Sequence, residues 1–147
     1  MYSCRGFSDN HVDVLASKGY VKNIIAVDDT HFYDKDIFGG WIMLQCNKLD
    51  AVSIMQAIKQ GDYYSSQGPE FKQITFEKDI IIAETSPVAS ISFISDTFFV
   101  RERIHVHKNE DMISKAEYKI DCLDRVVRIE ATDVNGRKAW SNFIKVR

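Results

Sequence analysis

The chain has 147 residues, 45% of them apolar, 12% aromatic and 27% charged, with a net charge of -2. That is enough apolar material for a packed core and too much for disorder. Mixed, near-neutral charge leaves no basic stripe for nucleic acid, and no run approaches the ~18 apolar residues that a membrane span needs. The opening MYSCRGFSDN has no apolar stretch of the secretory kind. Cys4, Cys46 and Cys122 are odd in number, far apart and without a CxxC pair. Free thiols in a reducing, cytoplasmic setting are therefore expected.

The first predicted element is a short helix. Ser8 is placed to cap it, Asp9 suits the positive end of its dipole, and Val12, Leu15 and Ala16 share a face before Gly19 ends it. His11 on that helix reads as a surface residue. "NIIAV", residues 23–27, is continuously apolar, the pattern of a strand covered on both faces as in parallel sheets flanked by helices. Helix, Gly-containing loop and strand together predict an α/β unit. "GGWIMLQC", residues 39–46, predicts a second strand. Asp50 caps a second helix in which Ala51, Val52, Met55 and Ile58 form an apolar stripe and Gly61 closes the end. "GDYYSSQGPEF" reads as a loop, broken by Gly68-Pro69.

Beyond about residue 72 the pattern becomes short β runs: "KQITF", "DIIIAE", "SISFI" and "FFVRERIHVH", with Pro87 between two of them. Ala116, Tyr118 and Ile120 alternate with polar neighbours, as do Val127, Ile129 and Ala131. Asn135-Gly136 between two such runs predicts a hairpin closed by a type I′ turn. The second half therefore predicts a small antiparallel β-sandwich.

The residues with chemistry follow the 23–27 run. Asp29 and His31 lie two apart at its end, so their side chains leave the backbone on one side. A carboxylate and an imidazole so placed converge on one zinc, manganese or iron ion. The competing reading is a solvated turn in which Asp28 and Asp29 cap backbone amides and His31 is half exposed. His105-x-His107 copies a metal spacing, but alternation with Ile104 and Val106 predicts both histidines on a wet face. Trp41 and Trp140 read as packing residues. Without a Gly-x-Ser-x-Gly elbow, nucleophilic catalysis has no support.

"AVDDTHFYDKDIFGGWIML" and "IMQAIKQGDYYSSQGPEF" resemble the carboxy-terminal end of the PHP (polymerase and histidinol phosphatase) family of metal-dependent phosphoesterases. The similarity rests on Asp29 and His31, on Gly39, Gly40, Trp41 and Ile42, and on Gly61, Tyr64, Ser66, Gly68, Pro69 and Glu70. "ETSPVASISF" and "VVRIEATDVNGRKAWSNFI" resemble the family's β extension. The resemblance implies an α+β chain: residues 1–72 as the terminal α/β elements of a (β/α) barrel, and residues 73–147 as the sandwich. It implies Asp29 and His31 as ligands of a divalent metal, Zn, Mn or Fe. Tyr64, Ser66 and Glu70 would lie near a phosphorylated small-molecule substrate. Because the family's earlier His-x-His and further ligands are not in this sequence, the lone chain is expected to be inactive. The completing partner would be an amino-terminal PHP half, or the chain would self-associate. The rival expectation is a non-catalytic docking sandwich.

Overall fold

In the computed structural model, residues 7–31, 37–97, 103–106 and 111–147 are described. They form two helices, α1 (Asp9–Ser17) and α2 (Ala51–Gln60), and ten strands. The strands are β1 (Trp41–Leu44), β2 (Tyr63–Ser66), β3 (Phe71–Glu77), β4 (Ile80–Val88), β5 (Ser90–Ser95) and β6 (Ile104–Val106). The rest are β7 (Ile113–Lys119), β8 (Val126–Thr132), β9 (Lys138–Ser141) and β10 (Ile144–Lys145). A seven-stranded sheet runs β1-β2-β9-β8-β5-β6, with β10 also on β8, and a three-stranded sheet runs β3-β4-β7.

Every ladder among the described residues is antiparallel. The expected terminal elements of a parallel (β/α) barrel are therefore not what this chain forms; it is a mostly β structure with two helices. The large sheet takes β1 and β2 from before residue 72 and β5, β6, β8, β9 and β10 from after it, so strands from both sides of that position share one sheet.

The core lies between the sheets. On the large sheet, Ile91, Phe93, Val127, Ile129, Ala131 and Ala139 share one face through their registers, and Phe71, Ile81, Ala83, Ala116 and Tyr118 meet them from the small sheet. This is the predicted alternation of 127, 129 and 131 with the predicted inward face. β6 has the opposite phase to the one expected. His105 pairs with Ile91 and packs edge-on against Phe93 at 5.9 Å, while Ile104 and Val106 face outward. A one-residue change of phase exchanges the two faces of a strand. His107 lies outside the described residues.

Several local readings are also revised. Tyr63–Ser66, expected as loop, is a strand with β1 on one side and β9 on the other. Pro87 lies within β4, where the β4–β7 register slips between Glu84 and Val88. At Asn135-Gly136 only Gly136 has positive φ, at +78°. Gly136 N–H donates to the Asp133 carbonyl and Asp133 N–H to that of Arg137, which is a type I turn with a glycine bulge. α2 follows its expectation closely: Asp50 accepts the Ser53 N–H at 2.8 Å and Gly61 takes φ +80°.

Residues 7–31 cover the outer face of the large sheet. α1 docks through charge: Asp13 grips the guanidinium of Arg128 with two 2.6 Å bonds, and Arg128 is only 2% exposed. Glu130 continues the network to Arg128, Lys138 and the Trp140 indole N–H, and Lys138 reaches Asp9 at 3.8 Å. Of the expected apolar face, Ala16 is buried and Leu15 is exposed. Next, residues 23–27 cross the sheet without ladder pairing. Ser65 Oγ donates to the Ile24 carbonyl and accepts the Ala26 N–H. Asn142 accepts the Ile24 N–H and donates to the carbonyls of Gly61 and Tyr63.

Candidate functional site

The 23–27 segment alternates like a strand although it pairs with none. Ile24 and Ala26 turn toward the sheet, while Ile25 and Val27 are 54% and 71% exposed. The apolar run predicted cover on both faces, and this chain provides it on one.

At the end of that segment Asp28 is the organising residue. Its carboxylate accepts the N–H groups of Gly40 at 2.7 Å and Phe38 at 2.8 Å, tying the base of the 28–40 loop. The Gly40 bond, with those from Phe38 and Gly39, holds its carboxyl below the usual carboxylate range against the opposing effect of desolvation. Gly40 is closely packed: a Cβ there would stand 3.3 Å from Ala26 Cβ, so that neighbour would have to shift slightly. The turn reading foresaw this role for Asp28.

Asp29 and His31 sit exposed at the start of the same loop. Asp29 is left-handed, with φ +54°, a region that aspartate tolerates better than bulkier residues. The His31 ring folds back so that Nδ1 lies 2.6 Å from the Asp29 carbonyl oxygen. A carbonyl only accepts, so in this contact Nδ1 carries the proton. A metal-ligating histidine commonly donates its other ring N–H to a carbonyl in this way. Among the described residues, however, no group of three His, Cys, Asp or Glu side chains is gathered to hold an ion. A catalytic zinc takes three protein ligands and a water, so this pair alone does not amount to a metal centre.

The residues expected near substrate lie elsewhere. Ser65 faces the 24–26 segment, so its neighbours Tyr64 and Ser66 point to the opposite side of β2. Tyr64 stands edge-on to Phe71 at 5.4 Å, and burial, then the Glu70 carboxylate, push its hydroxyl up. Ser66 is buried, donating to the Pro69 carbonyl at 2.6 Å and accepting the Gly68 N–H, which makes it part of a turn. Tyr64 and Glu70, with Met43, Phe71 and Phe143, line a cleft of about 610 Å³ between the β1–β2 end of the large sheet and β3. The structure thus brings Tyr64 and Glu70 together and separates both from Asp29 and His31.

A second polar cluster was not foreseen. Asp124, fully buried, accepts from the hydroxyls of Tyr118 at 2.5 Å and Thr97 at 2.7 Å and from the Asp121 N–H. Arg103 reaches it at 3.3 Å and also bonds Ser95 and Thr97. Burial and the Asp124 carboxylate push the Tyr118 hydroxyl up to about 12. Burial raises the Asp124 carboxyl, but its hydrogen bonds, led by the one from Tyr118, outweigh this and hold it low. Nothing in "DCLDR" marks this aspartate, because its partners lie in three other segments.

Comparison with protein-family models, with curated proteins and with solved structures returns no match. Cys46 and Cys122 are free and exposed. Among the described residues, no helix is long and apolar enough to cross a membrane.

Proposed function

We propose that this chain is the non-catalytic carboxy-terminal portion of a phosphoesterase resembling the PHP family, silent alone and completed by a layer that seats on residues 23–31. The observation that carries the reading is the half-covered 23–27 segment, whose exposed Ile25 and Val27 lead directly to Asp29 and His31. Covering two such side chains stabilises an interface by roughly 1.5–3 kcal/mol each when burial is complete. The contact of His31 Nδ1 with the Asp29 carbonyl and the Asp28 clasp support a preset position for the two donors. The sandwich is the platform, and barrel elements are no part of this chain. In the complete assembly the reaction is hydrolysis of a phosphate ester at a divalent metal, with Asp29 and His31 as two of its donors.

The test has two arms. Purified chain with manganese or zinc and a generic phosphate monoester is expected to release no phosphate above a mock preparation. Co-expression with a PHP amino-terminal half carrying His-x-His is expected to restore turnover, and His31→Ala to abolish it. Turnover by the lone chain, or restored turnover indifferent to His31→Ala, overturns the proposal. A second reading, a docking module, draws on the cleft of Met43, Tyr64, Glu70, Phe71 and Phe143. It is favoured if zinc leaves the His31 ring resonances unmoved while ligands shift those of Tyr64.

A further inference from the structure

The edge of the large sheet offers a second surface, independent of residues 23–31. β1 is terminal in the strand order and pairs only with β2 among the described residues. Its register defines which backbone groups point outward. Gln45 N–H donates to the Asp62 carbonyl at 2.9 Å, one step beyond the Leu44–Tyr63 pair. Residues 45 and 62 are thus a hydrogen-bonded pair, and by alternation so are Met43 with Tyr64 and Trp41 with Ser66. The amides and carbonyls of Ile42 and Leu44 are therefore the ones directed away from β2.

Natural sheets blunt such edges with lysine, proline or a bulge. β1 reads Trp-Ile-Met-Leu, with no charge and no register shift. The edges of the small sheet differ: β3 carries Lys72 and Glu77 and an irregularity between Phe71 and Gln73, and β7 carries Lys115, Glu117 and Lys119. The helix packed against β1 is apolar on its free side as well. Val52 and Met55 of α2 are 77% and 51% exposed, beside an almost fully exposed Leu49. That apolar side extends toward Asp50 at one end of α2 and Lys59 at the other.

We propose that β1 pairs antiparallel with β1 of a second copy, extending the large sheet across a two-fold axis, with the free sides of the two α2 helices closing the interface. A two-fold suits this edge for three reasons. An antiparallel four-residue strand is its own complement, and no like charges meet at its centre. Opposite charges at the two ends of α2 are brought toward their counterparts by the same rotation. Isologous contacts of this kind close at two copies and stop. Met43, Leu49, Val52 and Met55 together leave on the order of 500 Å² exposed per copy, below the ~800 Å² of a standard interface. The association is accordingly weak and concentration-dependent.

Sedimentation of the purified chain across a concentration series is expected to show a reversible monomer–dimer equilibrium. Ile42→Pro removes one outward N–H without touching a β2 bond, and is expected to weaken the dimer about tenfold or more, the equivalent of ~1.4 kcal/mol. Hydrogen exchange on the unaltered chain gives a readout that does not depend on that variant folding. Protection at the Ile42 and Leu44 amides rises with concentration, while Trp41 and Met43, already bonded to β2, stay constant. A chain that remains monomeric to about 1 mM overturns the proposal. So does a dimer whose Ile42 and Leu44 amides exchange at the same rate at every concentration, and so does β1 pairing found only with a different protein.

Discussion

Asp13→Ala removes the bidentate partner of a guanidinium that has almost no access to solvent. Arg128 is 2% exposed, and its two short bonds to Asp13 are the main compensation for its burial; Glu130, at 3.3 Å, supplies the rest. Burial by itself disfavours the charged guanidinium, yet Asp13, and then Glu130, hold its pKa above the ordinary arginine value. Breaking a buried pair by deleting one member costs about 3–5 kcal/mol. Here the Asp13 side chain is 25% exposed and Glu130 remains, so a loss near the lower end, ~2–3 kcal/mol, is expected. Urea unfolding followed by tryptophan fluorescence measures it, since Trp140 donates to Glu130 in the same network. The double variant Asp13→Ala with Arg128→Met should recover much of the loss, because a neutral side chain on that face needs no counter-charge. A loss below about 0.5 kcal/mol for Asp13→Ala, the range of an ordinary surface change, would refute the assignment of α1 as an ionically clasped layer.

Tyr118 gives a pH signature. The unfolded hydroxyl titrates near 10 and the folded one near 12, so the unfolded chain loses its proton first. Stability from this group is whole below about pH 10 and declines as pH rises toward 12; Tyr118→Phe should flatten that decline in urea midpoints. Asp124, held low, contributes in the opposite window: its share is present above about pH 4 and is lost on acidification through its folded pKa. Gly61→Ala places a Cβ at φ +80° and within 2.8 Å of the Asn23 side-chain amide, and should cost at least ~1–2 kcal/mol in thermal unfolding. Ser65→Ala strips one acceptor and one donor from the 24–26 segment. Limited proteolysis should then cut within residues 20–31 faster while the sandwich survives, and unchanged cleavage would count against that attachment.

Elements governed by local chemistry were legible in the sequence. α2 announced itself through Asp50 and Gly61, because both caps act within one turn of the helix. The alternation at 116, 118 and 127, 129, 131 carried the sandwich, since burial on one face imposes period two. Pairing was less legible. The "NIIAV" run reports where side chains are buried and says nothing about where its amides find partners; here they find Ser65 and Asn142. β2 was hidden for a related reason: its serines look like turn residues but serve as hydrogen-bonding posts, Ser65 to the crossing segment and Ser66 to the following turn. Asp9 and Asp13 look like solvent-facing acids until Arg128 and Lys138, more than a hundred residues away, are set against them. At the candidate site the Asp-x-His pattern was visible, and only the competing turn reading anticipated its exposure. Asp28, which the same turn reading set to capping amides, holds the geometry.

The Asn142 side chain joins the backbone at residues 24, 61 and 63, so the attachment of the N-terminal layer, the end of α2 and the start of β2 share a single amide. Displacing that amide leaves unpaired polar groups in all three at once. Fluctuations of this half should therefore register as one cooperative event, with the opening free energies that amide exchange reports for all three regions converging on a common value below that for global unfolding.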